Sequence, residues 1–192
     1  MGAGDAGPPP GGSKAKSIAT FNNIVISVGD SILINPDTPE GLPYIAFVKD
    51  VLDGKGEDGE AALQVVWYYR PEEAVGGRKA FHGAKELFLS DHTDACSVAT
   101  VIRKCRVLTL KDYQGLAKVG DDDYFSRFSY RPASREFAPD RVPVFCRCEL
   151  PYNPDRFMAM CDSCEEWFHP ECIGASKKDM QSEDWRCPDC RR

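Results

Sequence analysis

The residues with the clearest chemistry are seven cysteines and one histidine in the last quarter of the sequence. They fall into four pairs: Cys146 and Cys148, Cys161 and Cys164, His169 and Cys172, and Cys187 and Cys190. A structural zinc ion takes four such ligands in a tetrahedron, so eight ligands predict two closed sites. The spacing alone leaves open which pairs share an ion.

The two expected zinc ions are structural. A closed site has no free position for a water molecule, so we expect the metal to take no part in catalysis. A segment of about fifty residues with few aliphatic side chains buries too little surface to fold alone, so the metal is expected to supply much of its folding free energy. The first residues contain no apolar signal-peptide core, and without secretion such a cluster favours metal ligands over disulfides.

A second notable feature is the run QVVWYYRPEE, which places three aromatic rings in succession. Alternate residues of a strand share a face, so Trp67 and Tyr69 point one way. Tyr68 and Val66 point the other way and are expected to pack inside. Pro71 ends the strand, and two adjacent rings on the outer face or rim of a strand end indicate a binding surface.

Short β-strands must position these rings. Many brief apolar runs, punctuated by Gly, Pro and Asp, predict a mainly β fold, either a compact barrel or a sandwich. The clearest strands are PYIAFVKDVLD, AALQVVWYYR, KELFLSD, ATVIRKCRVLTL and DYFSRFSYR, with the loop GKGEDGE after the first and a short helical turn in KDYQGLAKVG. We expect a disordered tail at 1–20, the β domain at 21–137, a linker at 138–143 and the zinc module at 144–192.

The composition argues against several classes of protein. The chain has 192 residues, of which 42% are hydrophobic, and a net charge of −6. The negative charge disfavours a protein that grips phosphate backbones, so no sequence-specific DNA binding is expected, and it favours a reader of basic peptides. No run approaches the roughly 18 apolar residues of a membrane span, so no membrane association is expected.

The zinc module resembles the PHD finger. The shared features are the ligand order of four cysteines, one histidine and three cysteines, and Trp185 two residues before the seventh ligand. The resemblance implies a cross-brace in which alternate pairs share an ion. It assigns Cys146, Cys148, His169 and Cys172 to one zinc ion and Cys161, Cys164, Cys187 and Cys190 to the other. RING-type ubiquitin ligases have similar spacing but usually place histidine fourth, so ubiquitin transfer is the alternative function.

PHD fingers commonly bind the N-terminal tail of histone H3, and some hold trimethyl-lysine against aromatic rings. The resemblance implies a methyl-lysine cage of Tyr152, Met158 and Trp167, and peptide contacts from Asp162, Glu165 and Glu166. The competing interpretation is that Tyr152 and Trp167 belong to the small core and that the carboxylates form a solvated face.

The β region resembles a BAH domain in VGDSILI, PYIAFVKDV, VVWYYRPEEAVGGRKAFHGAKELFLSDHTDAC and VIRKCRVLTL. The order BAH then PHD is similar to that of the plant BAH–PHD histone readers of the Short Life and Early Bolting in Short Days type. In that family the BAH domain binds histone H3 trimethylated at lysine 27, and the PHD finger binds H3 trimethylated at lysine 4. The resemblance implies a BAH cage of Tyr44, Trp67 and Tyr69, with His92 and Asp94 holding the flanking peptide.

The predicted function is therefore that of a nuclear chromatin reader. It binds trimethylated H3 tails, associates with chromatin-repressor complexes and acts in transcriptional repression and flowering control. We expect no enzymatic activity, because no nucleophile with a partnered base is evident in the sequence. The third hypothesis is a nucleosome or protein scaffold that does not read methylation.

Overall fold

The computed structural model describes residues 16–52 and 61–192, and within them the chain forms two units. The first unit contains the described residues up to 78 together with 85–140, and the second contains 79–84 and 141–192. None of the helices within those ranges combines the length and the apolar character that a membrane span requires.

The first unit is built mainly from β-strands. These are β1 (Ser17–Ala19), β2 (Val25–Ser27), β3 (Ser31–Ile34), β4 (Tyr44–Leu52), β5 (Ala62–Tyr69), β6 (Glu86–Ser97), β7 (Val101–Leu108), β8 (Asp123–Arg131) and β9 (Glu136–Ala138). Helix α1 (Leu110–Gln114) forms in the run where a helical turn is expected. Its N-cap residue Thr109 accepts a hydrogen bond from the backbone N–H of Asp112 at 3.1 Å, which satisfies a donor that the helix itself leaves free.

The large sheet of the first unit closes on itself. Its strands follow the order β6-β5-β4-β3-β7-β8, and β8 pairs again with β6. Strand β8 runs parallel to both β6 and β7, and β9 adds to it as an antiparallel hairpin strand. The closure confirms the predicted β-barrel.

Apolar side chains cover both faces of the central strands. One cluster contains Leu33, Ile45, Phe47, Tyr68, Leu87, Cys105 and Val107, and the other contains Ile26, Ile32, Ile34, Ala46, Val48, Val51, Leu63, Val65, Val98 and Val101. Strand parity separates Tyr68 from Trp67 as predicted, because Tyr68 is buried in the first cluster and Trp67 packs at the margin of the second. Ile18 and Ile26 of the β1–β2 hairpin pack on this second face and cover part of it.

The seam between β6 and β8 contains a buried ion pair. The Nε of Arg127 donates to Oε1 of Glu86 at 2.7 Å, and a terminal guanidinium nitrogen donates to Oε2 at 3.2 Å. Both residues are buried, Glu86 at 1% exposure and Arg127 at 8%. Two buried charges are tolerated here because each is paired through two hydrogen bonds.

The second unit consists of short hairpins and helices around the metal-ligating residues. Its elements are β10 (Val144–Phe145), β11 (Leu150–Pro151), β12 (Ala159–Met160), β13 (Trp167–Phe168), α2 (Pro170–Ile173) and α3 (Lys177–Met180). Strand β10 pairs with β11, and β12 with β13. The core is small, since Phe168, Met180 and Trp185 pack with the ligands Cys161 and Cys187.

Two boundaries expected from the sequence need correction. Ser17–Ala19 pair with Val25–Ser27, so the disordered tail expected at 1–20 does not extend to residue 20; residues 1–15 lie outside the described part. Ile18 packs on the core, which explains why this polar-looking stretch is ordered. Ala138, expected to begin the linker, ends β9 opposite Ser129. The loop GKGEDGE also lies outside the described residues.

Candidate functional site

Tyr44 and Trp67 form an edge-to-face pair on one side of the sheet. Trp67 of β5 lies opposite Ala46 of β4, and Tyr44 lies two residues before Ala46, so all three share a face. The ring centroids of Tyr44 and Trp67 are 5.9 Å apart, with an angle of 71° between the planes. These rings make two adjacent walls at almost a right angle.

The hydroxyl of Tyr44 is held by a carboxylate. It donates a hydrogen bond to Oδ2 of Asp37 at 2.7 Å. That hydrogen bond is the main reason why the pKa of Tyr44 lies above its ordinary value. The phenol therefore stays neutral at physiological pH, and its orientation is fixed by Asp37.

Tyr69 supplies a third ring on the same strand face as Trp67. Its hydroxyl lies 3.0 Å from Nδ1 of His92, and its ring centroid lies 5.6 Å from that of Tyr130. Burial, followed by the negative charge of Glu73, raises the pKa of Tyr69. The hydroxyl thus keeps its proton at neutral pH and can donate a hydrogen bond to Nδ1 of His92 when that nitrogen carries no proton.

His92 and Asp94 lie on β6, beside the rings of β5. The backbone N–H of His92 donates to Oγ of Ser90 at 3.0 Å. Asp94 lies opposite Val65, and its carboxylate accepts a hydrogen bond from the backbone N–H of Ala95 at 2.8 Å. Both side chains are exposed, so both are accessible to a ligand beside the rings.

A single pocket of about 510 Å³ is lined by all five residues predicted in this unit: Tyr44, Trp67, Tyr69, His92 and Asp94. The other lining residues are Ile34, Asn35, Asp37, Tyr68, Glu73, Cys96, Ser97 and Thr100. The acidic members are Asp37, Glu73 and Asp94, and no lysine or arginine is among the lining residues. Aromatic walls with nearby carboxylates favour an organic cation as the ligand.

Sequence reasoning missed Asp37, Glu73 and Cys96. Asp37 lies in the loop before β4, where no local pattern marks it. Glu73 caps the turn after β5, since its carboxylate accepts a hydrogen bond from the backbone N–H of Arg70 at 2.5 Å; the run RPEE was the available signal. Burial, followed by the charge of Asp94, raises the pKa of Cys96 to about 11, so this thiol is a neutral and unreactive part of the wall.

The metal-ligating residues gather into two groups of four. Cys146, Cys148, His169 and Cys172 form one, and Cys161, Cys164, Cys187 and Cys190 form the other. The ligand atoms within each group lie within 4.8 Å of one another. The grouping is the alternating one that the PHD resemblance implies.

Distances inside the groups fit a tetrahedral zinc ion. Bonds of about 2.3 Å to sulfur and about 2.0 Å to nitrogen give site edges of about 3.5 Å from sulfur to nitrogen and about 3.8 Å between sulfurs. Nδ1 of His169 lies 3.5 Å from Sγ of Cys148 and 3.8 Å from Sγ of Cys172. In the other group, the sulfurs of Cys164 and Cys187 are 3.9 Å apart.

The pKa values of the cysteine thiols also favour a bound cation in these groups. Burial alone would raise the pKa of Cys161, but hydrogen bonds from the backbone N–H groups of Cys187, Cys164 and Ser163 lower it to about 6. Burial and the neighbouring thiols of Cys146 and Cys148 raise the pKa of Cys172 to about 12. Four thiolates at such distances need a bound positive ion to offset their mutual repulsion, and a zinc ion at this site would supply that charge.

Two of the three residues predicted for the cage of the second unit lie at the β12–β13 hairpin, and the third follows β11. Trp167 of β13 lies opposite Met160 of β12, and both side chains are about 40% exposed. Met158 precedes Met160 by two residues, which in an extended chain puts it on the same face. Met158 is only 8% exposed and is therefore suited to a floor rather than an open wall. Tyr152 is half-buried and directly follows β11.

Asp162, Glu165 and Glu166 are exposed around this hairpin. The backbone N–H of Asp162 donates to the carbonyl of Trp185 at 2.9 Å, and Glu165 adopts a positive φ of 59° in the turn between the zinc-ligating cysteines and β13. Among the described residues, none of these three carboxylates forms an ion pair. They leave negative charge beside Trp167 for a basic ligand.

Comparison with known proteins identifies both units. Residues 24–141 match the BAH domain family, and residues 145–190 match the PHD-finger family. The Arabidopsis thaliana chromatin remodeling protein SHL is 46% identical over 170 residues, which span 88% of this chain and 74% of SHL. The Arabidopsis thaliana chromatin remodeling protein EBS is 45% identical over 170 residues, which span 88% of this chain and 71% of EBS.

A solved structure supports the barrel assignment. The crystal structure of the yeast Rsc2 BAH domain aligns with a TM-score of 0.50 and 23% identity, over 63% of this chain and 52% of that chain. At that identity the likeness concerns the fold alone.

Proposed function

Because this chain belongs to the BAH–PHD family of chromatin proteins, we propose that it reads trimethylated histone H3 tails with two separate pockets. The BAH pocket takes trimethylated lysine 27, and the PHD finger takes trimethylated lysine 4. The observation that carries the proposal is the pocket in which Tyr44, Trp67 and Tyr69 stand beside three carboxylates.

The chemistry of trimethyl-lysine matches that pocket. A trimethylammonium group cannot donate a hydrogen bond, yet it keeps its positive charge, so it is held by aromatic faces through cation–π attraction. The hydroxyls of Tyr44 and Tyr69 already have partners in Asp37 and His92, which leaves the ring faces for the ligand. The carboxylates add a negative potential that favours a cation without requiring a hydrogen bond.

Trp167 and the methionines beside it support the second pocket. Trp167 offers an exposed indole face, and Met158 and Met160 add polarizable thioethers on the same side of the hairpin. The carboxylates of Asp162, Glu165 and Glu166, which form no ion pair with another residue in 16–52 or 61–192, suit the arginine of a basic peptide. Two structural zinc ions, held by the two groups of ligands, stabilise the hairpin that carries Trp167.

The relatives indicate where such a reader acts. SHL and EBS are chromatin remodeling proteins, and they resemble this chain through both domains. These relatives support a place for this protein on chromatin in the nucleus. We further propose that it binds H3 tails there and works with repressor complexes in transcriptional repression and flowering control. The match of residues 145–190 to the PHD-finger family weakens the alternative of a RING-type ubiquitin ligase.

A calorimetric titration of the full chain tests the proposal. The ligands are H3 peptides around lysine 27 and around lysine 4, each in trimethylated and unmodified form. Trimethylation is expected to raise the affinity of both peptides, by about tenfold or more for a formed cage. Equal affinity for trimethylated and unmodified forms of both peptides would contradict the proposal. Ubiquitin discharge in a parallel assay would then favour the ligase, and its absence would favour the scaffold.

A further inference from the structure

Residues 79–84 belong to the second unit, although the rest of that unit begins only at residue 141. The segment is internally ordered. The backbone N–H of Lys79 donates to Nδ1 of His82 at 3.0 Å, and the rings of Phe81 and His82 stack edge to face with centroids 4.4 Å apart. The segment therefore offers a defined surface to the loop against which it packs.

Asn153 makes the main contact with that segment. Its Nδ2 donates to the carbonyl of Ala80 at 2.9 Å and to that of His82 at 3.4 Å. Its Oδ1 accepts a hydrogen bond from the backbone N–H of Asp155 at 2.9 Å. Asn153 is 7% exposed, so a buried amide uses two hydrogen bonds to hold two distant pieces of chain together and a third within its own turn.

Asp155 adds a second link between the same two pieces. Its carboxylate accepts a hydrogen bond from the backbone N–H of Ala84 at 2.5 Å. The turn between Asn153 and Arg156 is closed by a backbone hydrogen bond of 3.1 Å, and Arg156 forms an ion pair with Glu171 in α2. The loop after β11 is thus tied to the 79–84 segment on one side and to the zinc module on the other.

Tyr152 directly precedes Asn153 and lies between β11 and this tied turn. A cage residue on a loop binds well only when its ring is held within a fraction of an ångström of the productive position. We infer that Asn153 and Asp155 are positioning residues, and that through their hydrogen bonds to residues 79–84 they hold the Tyr152 ring in the trimethyl-lysine cage of the PHD finger. The inference rests on the proposed function of that finger.

The inference predicts a specific defect in methyl recognition. Without the hydrogen bonds of Asn153 and Asp155, the loop that carries Tyr152 is less well ordered, and the cost of ordering it on binding weakens binding of the trimethylated peptide. The unmodified peptide makes little use of the cage, so its affinity should change less. The diagnostic quantity is therefore the ratio of the dissociation constants of the unmodified and trimethylated lysine-4 peptides.

The test uses the full chain in four forms: wild type, Asn153→Asp, Asp155→Ala and Asp155→Asn. Asn153→Asp keeps the shape and the acceptor but turns an anionic oxygen toward two carbonyls. Asp155→Ala removes the acceptor for Ala84 at an exposed position, where the fold tolerates the change. Asp155→Asn keeps an amide oxygen that can accept the same bond and serves as the conservative control.

We expect Asn153→Asp and Asp155→Ala to lower the ratio by about fivefold to tenfold, and Asp155→Asn to stay within about twofold of wild type. Zinc content of each variant and binding of the lysine-27 peptide report whether it has folded. A wild-type ratio near one would contradict the proposed reading of trimethylated lysine 4 by the PHD finger. A high wild-type ratio that Asp155→Ala leaves unchanged would contradict the positioning role of Asn153 and Asp155 but not the proposed function. Equal losses of the ratio in both Asp155 variants would also contradict that positioning role.

Discussion

At the scale of single residues, the proposed selectivity of the BAH pocket rests on polar groups that already have hydrogen-bond partners. Tyr44 donates to Asp37, and Tyr69 lies within hydrogen-bonding distance of His92. A ligand that needs hydrogen bonds gains little from these hydroxyls, whereas a methylated cation gains from the ring faces. The affinity of the pocket should therefore depend more on the positive charge of the ligand than on its size.

A peptide with a neutral isostere of trimethyl-lysine at position 27 tests that statement. The isostere replaces the nitrogen by carbon, so it keeps the shape and the apolar surface but loses the charge. We expect its affinity to fall on the order of tenfold, because the cation–π and carboxylate attractions disappear. Equal affinities for the two peptides in a competition titration would show that packing alone holds the ligand.

At the scale of elements, the pocket depends on barrel closure as much as on β5. Strand β6 carries His92 and Asp94, and it is held on one side by β5 and on the other by β8. The buried pair of Glu86 and Arg127 crosses the second of these seams. Loss of either charge would leave the other buried without the oppositely charged partner of this pair.

Arg127→Met is expected to lower the free energy of unfolding of the barrel by about 3–5 kcal/mol. The double variant Glu86→Leu with Arg127→Met removes both charges and should recover most of that loss, because no unpaired charge remains. Urea unfolding followed by circular dichroism measures both. A single variant within about 1 kcal/mol of wild type would mean that water or another group solvates Glu86.

Metal removal tests the elements of the PHD finger. Its core of Phe168, Met180 and Trp185 is too small to persist without the ligands packed against it. Elemental analysis should find two zinc ions per chain. Treatment with a strong chelator should abolish binding of the lysine-4 peptide and spare that of the lysine-27 peptide. Retention of lysine-4 binding in metal-free protein would refute the structural role of the zinc ions.

Sequence patterns predicted which segments form strands better than they predicted which residues of different segments lie side by side. Parity within β5 is enough to pair Trp67 with Tyr69, because it depends only on the period of a strand. The position of Tyr44 beside Trp67 depends on the register of β4 against β5, for which no local pattern exists. The same limit explains why Asp37 was missed and why the link between Asn153 and residues 79–84 was not foreseen.

At the scale of the whole molecule, charge and composition agree with a reader of basic tails. The net charge is −6, and acidic side chains line the BAH pocket and flank Trp167 in the PHD finger. Histone tails are rich in lysine and arginine, so complementary charge assists encounter with either surface. Under the proposed function, the two domains would differ in the peptide sequence that each recognises around the methylated lysine, since both would bind the methyl group in the same way.

The most direct test of two separate methyl-lysine pockets is a crossed titration of Trp67→Ala and Trp167→Ala against both trimethylated peptides. Trp67→Ala is predicted to weaken lysine-27 binding by at least about thirtyfold and to leave lysine-4 binding within about twofold; Trp167→Ala is predicted to do the reverse. Loss of the same peptide in both variants, or full retention of lysine-27 binding in Trp67→Ala, would contradict the account.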